Sequence, residues 1–448
     1  MSSDESKRSA TRRDRDRILY SDSFRRLGGV TQVALGDPSL ELHNRLTHSL
    51  KVEQVGFSIC SLLTSYDKDF GNAVNENVVA AASLGHDIGH PPFGHAGESE
   101  LQQILMCSEH LLHPRRIDKR KSDPCPRCLL EDGFEGNAQS FRALAVLAVH
   151  RDSEERPLGL DLTRATLAAV SKYPWTRGAP GRKINKWGAY DCDAPILEWV
   201  FGTTDAPQDA PSQVMDWADD ISYAVHDLED FYRTGRIPLE NYNRVTNGVT
   251  NDRYEEFIEY VESHDAHGQI SDECKKSLPN YFAYFPRSAF QGRPADLAAL
   301  DRMRSRFLNA FISAAEHEHP NIPIDPLRKE VNAIMKQFVW FHVIDDPKLG
   351  DIQRGQRRVI REIFDDLLPM LESIYRIGSG IVPSERQKRT LPYALKRAIE
   401  FGVRQQSSYT DRQVLIRGLV DYISSLSDAG AYRLHGVLKG REGYGIIH

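Results

Sequence analysis

Long apolar runs are missing from this sequence. No window approaches the roughly 18 apolar residues that a membrane-spanning helix needs; Val78–Leu84 and Ala143–Val149 come nearest, and both are short with polar flanks. Met1–Arg17 lacks an apolar stretch and is rich in Ser, Asp and Arg, so it does not read as a secretory signal. An excess of one charge is missing too: 57 Lys and Arg against 63 Asp and Glu leave a net charge of -6, which argues against a dedicated duplex-DNA binder. Only six cysteines occur among 448 residues. Without an export signal they are expected as thiols or metal ligands in a reducing compartment, not as a disulfide framework. Neither a Walker A loop nor a Gly-x-Ser-x-Gly elbow is found, and no segment repeats at a fixed period. These absences leave a globular chain, expected to be cytoplasmic and without a membrane partner, and long enough to bury a large core.

What is present reads as helix. Apolar residues recur mostly at i, i+3 and i+4, while β-branched alternation is scarce, which predicts an all-α fold. Leu46, Leu50, Val55, Ile59 and Leu62 mark one helix, Val78–Leu84 a second that ends at Gly85, and Phe141–Val149 a third. Further helices are expected at 161–172, 213–233, 296–317, 325–342, 355–376, 391–405 and 411–427. Pro and Gly make loops or insertions of 106–136, 174–195, 203–212 and 317–326, and 240–290 is the least readable stretch. The expected organisation is a charged segment at 1–17, a core at 18–240 with a cysteine-containing insertion at about 106–133, and a mostly helical region at 241–448 packed on that core.

Chemistry concentrates after the second helix. His86, Asp87, His90, His95 and Glu98 fall within thirteen positions interleaved with Gly and Pro, so that neighbouring side chains converge as they would not on one continuous helix. Imidazole with carboxylate is a ligand set for a divalent ion. On the first helix Arg45 precedes His48 by one turn, so a phosphate on Arg45 would lie near a metal on His48; taken alone, His48 reads more readily as a helix histidine with an ordinary partner than as a ligand. In the segment 216–231 a 100° step gathers Asp219, Tyr223, His226, Asp227 and Asp230 on one face, opposite Trp217, Ile221, Ala224, Leu228 and Phe231. No Lys accompanies these acids, so they would repel one another unless a cation sat among them; a solvated face is the competing account. Cys125-Pro126-Arg127-Cys128, with Cys107, His110 and His113 upstream, has the residue types of a zinc knuckle, but its spacing is irregular and a plain insertion loop is the expectation. Cys60 lies in an apolar run and is expected in the core.

The order His48, then His86-Asp87, then Asp219 resembles the HD phosphohydrolase superfamily. The words around these residues narrow the resemblance. Arg13–Ser21, Phe24–Leu27, Thr31–Val33, Asn44–His48, Gly85–His95, Phe134–Gln139, Lys172–Trp175 and Ala218–Tyr223 together resemble the bacterial deoxyguanosinetriphosphate triphosphohydrolases and related dNTP triphosphohydrolases. The motifs cover residues 13 to 230, and Asp421–Asp428 looks like a divergent form of a C-terminal motif. Two departures stand out. Gly136 occupies a position where many members carry His, and Ala429 and Gly430 follow the C-terminal motif in place of its usual ending.

The resemblance implies hydrolysis of a deoxynucleoside triphosphate, dGTP or another, to deoxynucleoside plus inorganic triphosphate by water attack at the α-phosphorus. It implies His48, His86, Asp87 and Asp219 as ligands of a divalent metal ion, Mg²⁺ or Mn²⁺ first, with Fe, Co and Zn also compatible. His95 with Glu98 is the expected acid/base pair and His90 a reserve. Arg45, Lys172 and Tyr173 are expected on the triphosphate, Gln32 and Asp227 on the sugar 3′-hydroxyl, and Tyr223 where a 2′-hydroxyl would go. A homo-oligomer, such as a hexamer, and a nucleotide effector are further expectations. Another HD-superfamily phosphohydrolase of nucleotides is one alternative; a nucleotide-sensing or single-strand nucleic-acid-binding HD protein is another, kept open by the Arg-rich residues 8–17.

Overall fold

The computed structural model describes residues 8–32, 42–112, 125–150, 159–245, 251–264, 270–318, 320–376, 384–405 and 409–441. Residues 1–7, Val33 and His113, singled out above, lie outside them. The fold is all-α, and the described residues hold isolated β-bridges but no sheet. No helix among them is long and apolar enough to cross a membrane.

The helices that position the site are α1 (Ala10–Leu19), α2 (Arg45–Tyr66), α3 (Glu76–Gly85), α4 (His95–Leu105), α5 (Gly136–Arg142), α6 (Arg164–Val170) and α7 (Ala210–Ser222). Helix α3 is the hub. Every residue from Val78 to Gly85 is buried, because α1, α2, α6 and α7 all pack around it. A helix apolar on all sides is stable only in that setting. Its C-terminal end therefore delivers the next residues, His86 and Asp87, into the protein interior.

Four later helices, α8 (Pro347–Tyr375), α9 (Tyr393–Arg404), α10 (Asp411–Ser424) and α11 (Asp428–Leu438), form a group in which α8 packs on α4, α10 and α11. One apolar cluster joins this group to Phe93, Leu101, Leu105, Leu130 and Phe134. Another joins α2 and α7 to an aromatic group of Phe257, Phe282, Phe307 and Phe338. Both clusters draw on residues from either side of position 240.

Several elements differ from expectation. Helix α1 starts inside the charged segment, with Asp14 and Ile18 buried; Arg8, just before it, pairs with Asp16 at 2.9 Å, and Arg15 pairs with Glu53 of α2 at 2.5 Å. Averaged charge hides one buried face there. The stretch 240–290 contains helices at Asp252–His264 and Asp272–Phe282. The expected helices at 141–149 and 213–233 each contain a π-helical turn, at Ala143–Leu147 and Tyr223–Asp227, and that at 325–342 ends in one, at Trp340–Ile344. A turn with i→i+5 bonds rotates everything beyond it, so a uniform 100° step misplaces the downstream side chains.

Candidate metal and acid–base centre

Local caps aim the first ligands. The Asn44 side chain accepts the Thr47 N–H at 2.9 Å while the Asn44 N–H donates to Thr47 Oγ1 at 3.1 Å, a reciprocal cap that sets where α2 begins. Arg45 and His48 then project from its first turn, both buried. The His86 Nδ1 bonds the Ser83 carbonyl at 2.7 Å, which leaves Nε2 as the lone pair turned to the centre. There His48 Nε2 lies 3.0 Å and His86 Nε2 3.5 Å from Asp219 Oδ1. Asp219 comes from α7, far away in sequence.

His48, His86 and Asp219 each offer a donor atom within 4.8 Å of the others. Asp87 borders the trio, with Oδ1 3.6 Å from His86 Nε2 and Oδ2 held by Arg45 at 2.5 Å. The residues fit a divalent cation. His86 Nε2 is buried without a hydrogen-bond partner among the described residues. Burial works against charge on His86, yet Asp87 and Asp219 outweigh it and push its pKa up to about 9. Burial likewise opposes ionisation of Asp219, but Lys172, His86 and His48 hold it well below the usual carboxylate range. His90, Arg45 and His86 do the same for Asp87 against its burial. A site that keeps two carboxylates ionised and favours positive charge beside an imidazole suits a metal ion.

A second group adjoins the first. His90 Nδ1 lies 3.1 Å from Asp87 Oδ1, and the His90 ring meets His95 edge-on with centroids 5.7 Å apart. His95 opens α4 and its Nδ1 pairs with Glu98 Oε2 at 2.9 Å, while Glu98 Oε1 accepts the Gly136 N–H at 2.9 Å. Gly94, at φ 57° and ψ -126°, makes the sharp entry into α4 that residues with a Cβ avoid. The His95 side chain is 68% exposed and that of His90 only 9%, so His95 is the one a solute can reach. Burial and Arg45 lower the His90 pKa despite Asp87, which disfavours the charged ring. Burial alone would raise Glu98, but His95 and Lys186 pull it well below its usual range.

The expected substrate residues are distributed around this centre. Lys172 is paired with Asp216 and, at 3.2 Å, with Asp219 Oδ2; Arg45 is tied to Asp87 and to the carbonyls of Thr31 and Gln32. Both cations are thus held by the acids of the centre. Tyr173 stacks edge-on against Trp175 at 5.5 Å. Tyr223 is half-buried, with Lys336 over its ring. The Gln32 Oε1 and Asp227 Oδ2 atoms are buried without hydrogen-bond partners among the described residues. Burial, reinforced by Asp230, raises the Asp227 pKa well above the usual value.

Some neighbours escaped the sequence reading. Asp216 sits with Asp219 and Asp220 in one acidic trio, a grouping that their one-turn spacing could have indicated. His43 and Lys51 contact each other, and His43 Nδ1 lies 2.6 Å from Asp230 Oδ1. No periodic signal connects them, because His43 precedes α2 and Asp230 belongs to a distant helix.

Comparison with known proteins gives the family. An HD domain model matches residues 45–121 and a phosphohydrolase-associated domain model matches 324–437, so the chain is a hydrolase of the HD type. The first match contains His48, His86 and Asp87 but ends well before Asp219, which folding brings to them. The chain is 31% identical to a deoxyguanosinetriphosphate triphosphohydrolase-like protein of Streptomyces coelicolor, over 97% of this chain and 93% of that one. Proteins of the same description from Corynebacterium efficiens, at 33% identity over 80% of each chain, and Shewanella pealeana, at 28% over 96% and 91%, are also similar. With an all-α fold, a His/Asp centre and this likeness along nearly its whole length, the chain belongs to the HD-domain family of deoxyguanosinetriphosphate triphosphohydrolase-like proteins.

Proposed function

We propose that this protein hydrolyses deoxynucleoside triphosphates, dGTP among them, to deoxynucleoside and inorganic triphosphate. The observation that carries this reading is the junction of the two groups through Asp87 and His90: a divalent-cation site shares an edge with an accessible His95–Glu98 pair. The description of the relatives as deoxyguanosinetriphosphate triphosphohydrolase-like supports the substrate class.

His48, His86, Asp87 and Asp219 would hold the metal ion, Mg²⁺ or Mn²⁺, which when bound neutralises charge at the α-phosphate. Glu98 fixes the His95 Nδ1, so the other ring nitrogen is free to move a proton to the 5′ oxygen or from the attacking water. His90, whose charged form is disfavoured, would be available for the same proton. The triphosphate would draw Lys172 and Arg45 away from carboxylates that the cation then satisfies, and Tyr173 would add a hydrogen bond. Gln32 and Asp227, whose buried oxygens have no protein partner among the described residues, would bind the 3′-hydroxyl. Tyr223 would stand where a 2′-hydroxyl projects and so exclude ribonucleotides. A homo-oligomer with a nucleotide effector site belongs to the same reading.

The test is product analysis with each dNTP, singly and mixed, in Mg²⁺ or Mn²⁺. Triphosphate and deoxynucleoside in equal amounts are expected, abolished by chelator and by His95→Ala. Pyrophosphate with monophosphate, or no turnover with any mixture, would sink the proposal.

A further inference from the structure

Cys107, His110, Cys125 and Cys128 lie away from the centre just described. We propose that they bind one zinc ion as a structural knuckle at the base of the insertion. The sequence leaves a plain loop as the expectation, and what favours zinc is a convergence that only folding supplies. Cys107 and His110 are presented by the start of a short helix, Ser108–Leu112, and Cys125 and Cys128 by a tight turn in which the Cys128 N–H bonds the Cys125 carbonyl at 3.2 Å. Two chelating pairs, each separated by two residues, are thus brought face to face.

The donor separations bracket those of a tetrahedral site. All four donor atoms lie within 4.8 Å of one another. Cys107 Sγ is 4.0 Å from Cys125 Sγ, and His110 Nδ1 is 3.0 Å from Cys128 Sγ. A zinc ion with bonds of about 2.3 Å to sulfur and about 2.0 Å to nitrogen spans donor separations of roughly 3.5 to 3.8 Å. The cysteines are free thiols, and a disulfide of about 2.05 Å would join two of the three and strand the other beside an imidazole. The Cys107 N–H approaches Cys128 Sγ at 3.3 Å, the kind of N–H···S contact that stabilises a zinc-bound thiolate. Three thiolates and one neutral imidazole, soft ligands with closed coordination, select zinc over Mg²⁺ or Mn²⁺.

Its role would be to position other groups. Just beyond the four ligands, the N–H groups of Leu129 and Leu130 bond the Leu105 carbonyl at 2.8 and 3.2 Å, which ties the chain to the end of α4. Through a turn at Glu131 and Asp132 the chain then continues to Gly136, whose N–H donates to Glu98 near the start of the same helix. A clip at the ligands would fix the end of that return path that lies at Leu105 and Leu129.

The test does not depend on any nucleotide. Full-length protein is purified without chelator from zinc-supplemented medium and dialysed against EDTA to empty the His/Asp centre. One zinc per chain is expected to remain, to be released on titration of the thiols with a mercurial, and to persist in Asp219→Ala but not in Cys125→Ser/Cys128→Ser. Should that double variant fail to fold, cobalt in place of zinc in the unmodified chain decides. Intense thiolate-to-cobalt charge-transfer bands with tetrahedral ligand-field bands support the site. Their absence, zinc retention that follows Asp219 instead of the cysteines, or a Cys107–Cys125 disulfide in freshly isolated protein would each overturn it.

Discussion

Gly136 keeps a space open beside His90. A Cβ there would lie 3.1 Å from the imidazole Nε2 and Cε1 and 3.4 Å from Glu98 Oε1, so the ring would have to shift by a few tenths of an ångström. Gly136→Ala should leave stability within about 1 kcal/mol, since alanine favours the helix. Turnover of dNTP should fall about ten-fold, because catalytic geometry tolerates little displacement; unchanged kcat would show that His90 has no positional demand. Asp227 gives a pH prediction. Burial and Asp230 raise its pKa, so the folded protein keeps a proton that the unfolded chain releases above about pH 4. Stability contributed by this group therefore falls as pH rises from that point toward the raised pKa. Asp227→Asn removes the penalty, and its Tm advantage over the parent, measured without nucleotide, should widen from pH 4 to pH 8. A constant difference would contradict the raised pKa.

Helix α11 acts on the site through its first residue. Asp428 Oδ1 accepts the Phe93 N–H at 2.7 Å, and Oδ2 accepts the Thr31 N–H at 3.0 Å and Thr31 Oγ1 at 2.5 Å. Phe93 has φ 67°, a left-handed conformation that costs a bulky residue about 1–3 kcal/mol and persists only when held from outside. It immediately precedes the Gly94 turn into His95, while Thr31 adjoins Gln32. Asp428→Ala should cost about 3 kcal/mol in urea unfolding, through lost charge-assisted bonds. It should also reduce turnover at temperatures where the variant is still folded. Full activity in such a variant would mean that the 93–95 turn holds its shape unaided. The divergent C-terminal motif thus has a concrete task here, even without its usual ending.

Across the whole molecule, buried charge networks link the distant helices. Arg142, fully buried, bonds Asp421 of α10 at 2.9 Å and Asp193 at 2.8 Å, and Gln139 donates to the same Asp421 at 3.0 Å. Arg417 bonds Asp132 at 2.9 Å, again out of solvent. Removing one partner of such a network strands a buried charge, so Asp421→Ala should destabilise by about 3–5 kcal/mol, with little response to added salt. Arg142→Met with Asp421→Leu should recover much of that loss. A small, salt-sensitive effect of Asp421→Ala would mean that water reaches the network. We further propose that residues 18–240 and 241–448 fold as one cooperative unit, since two of the large apolar clusters cross position 240.

Much of the architecture is local and therefore legible. Glu76–Gly85 and Asp411–Ser424 lie close to where apolar spacing and capping residues put them, because a helix is specified by neighbours three and four positions apart. Ala10–Leu19 was hidden by its charge, and His95–Leu105 and Asp428–Leu438 by glycines near their starts and weak periodicity. The motif words are contiguous, so the family could be read from them. By itself, then, the sequence determined the helical class, the family and the residue types of the centre. Tertiary structure alone decided that Arg45 and Lys172 are already paired with acids, that π-helical turns redirect the acidic face, and that Cys107, His110, Cys125 and Cys128 converge across the insertion. Such long-range contacts arise from how a buried hub helix and its neighbours pack, and no short-range pattern in the chain encodes that packing.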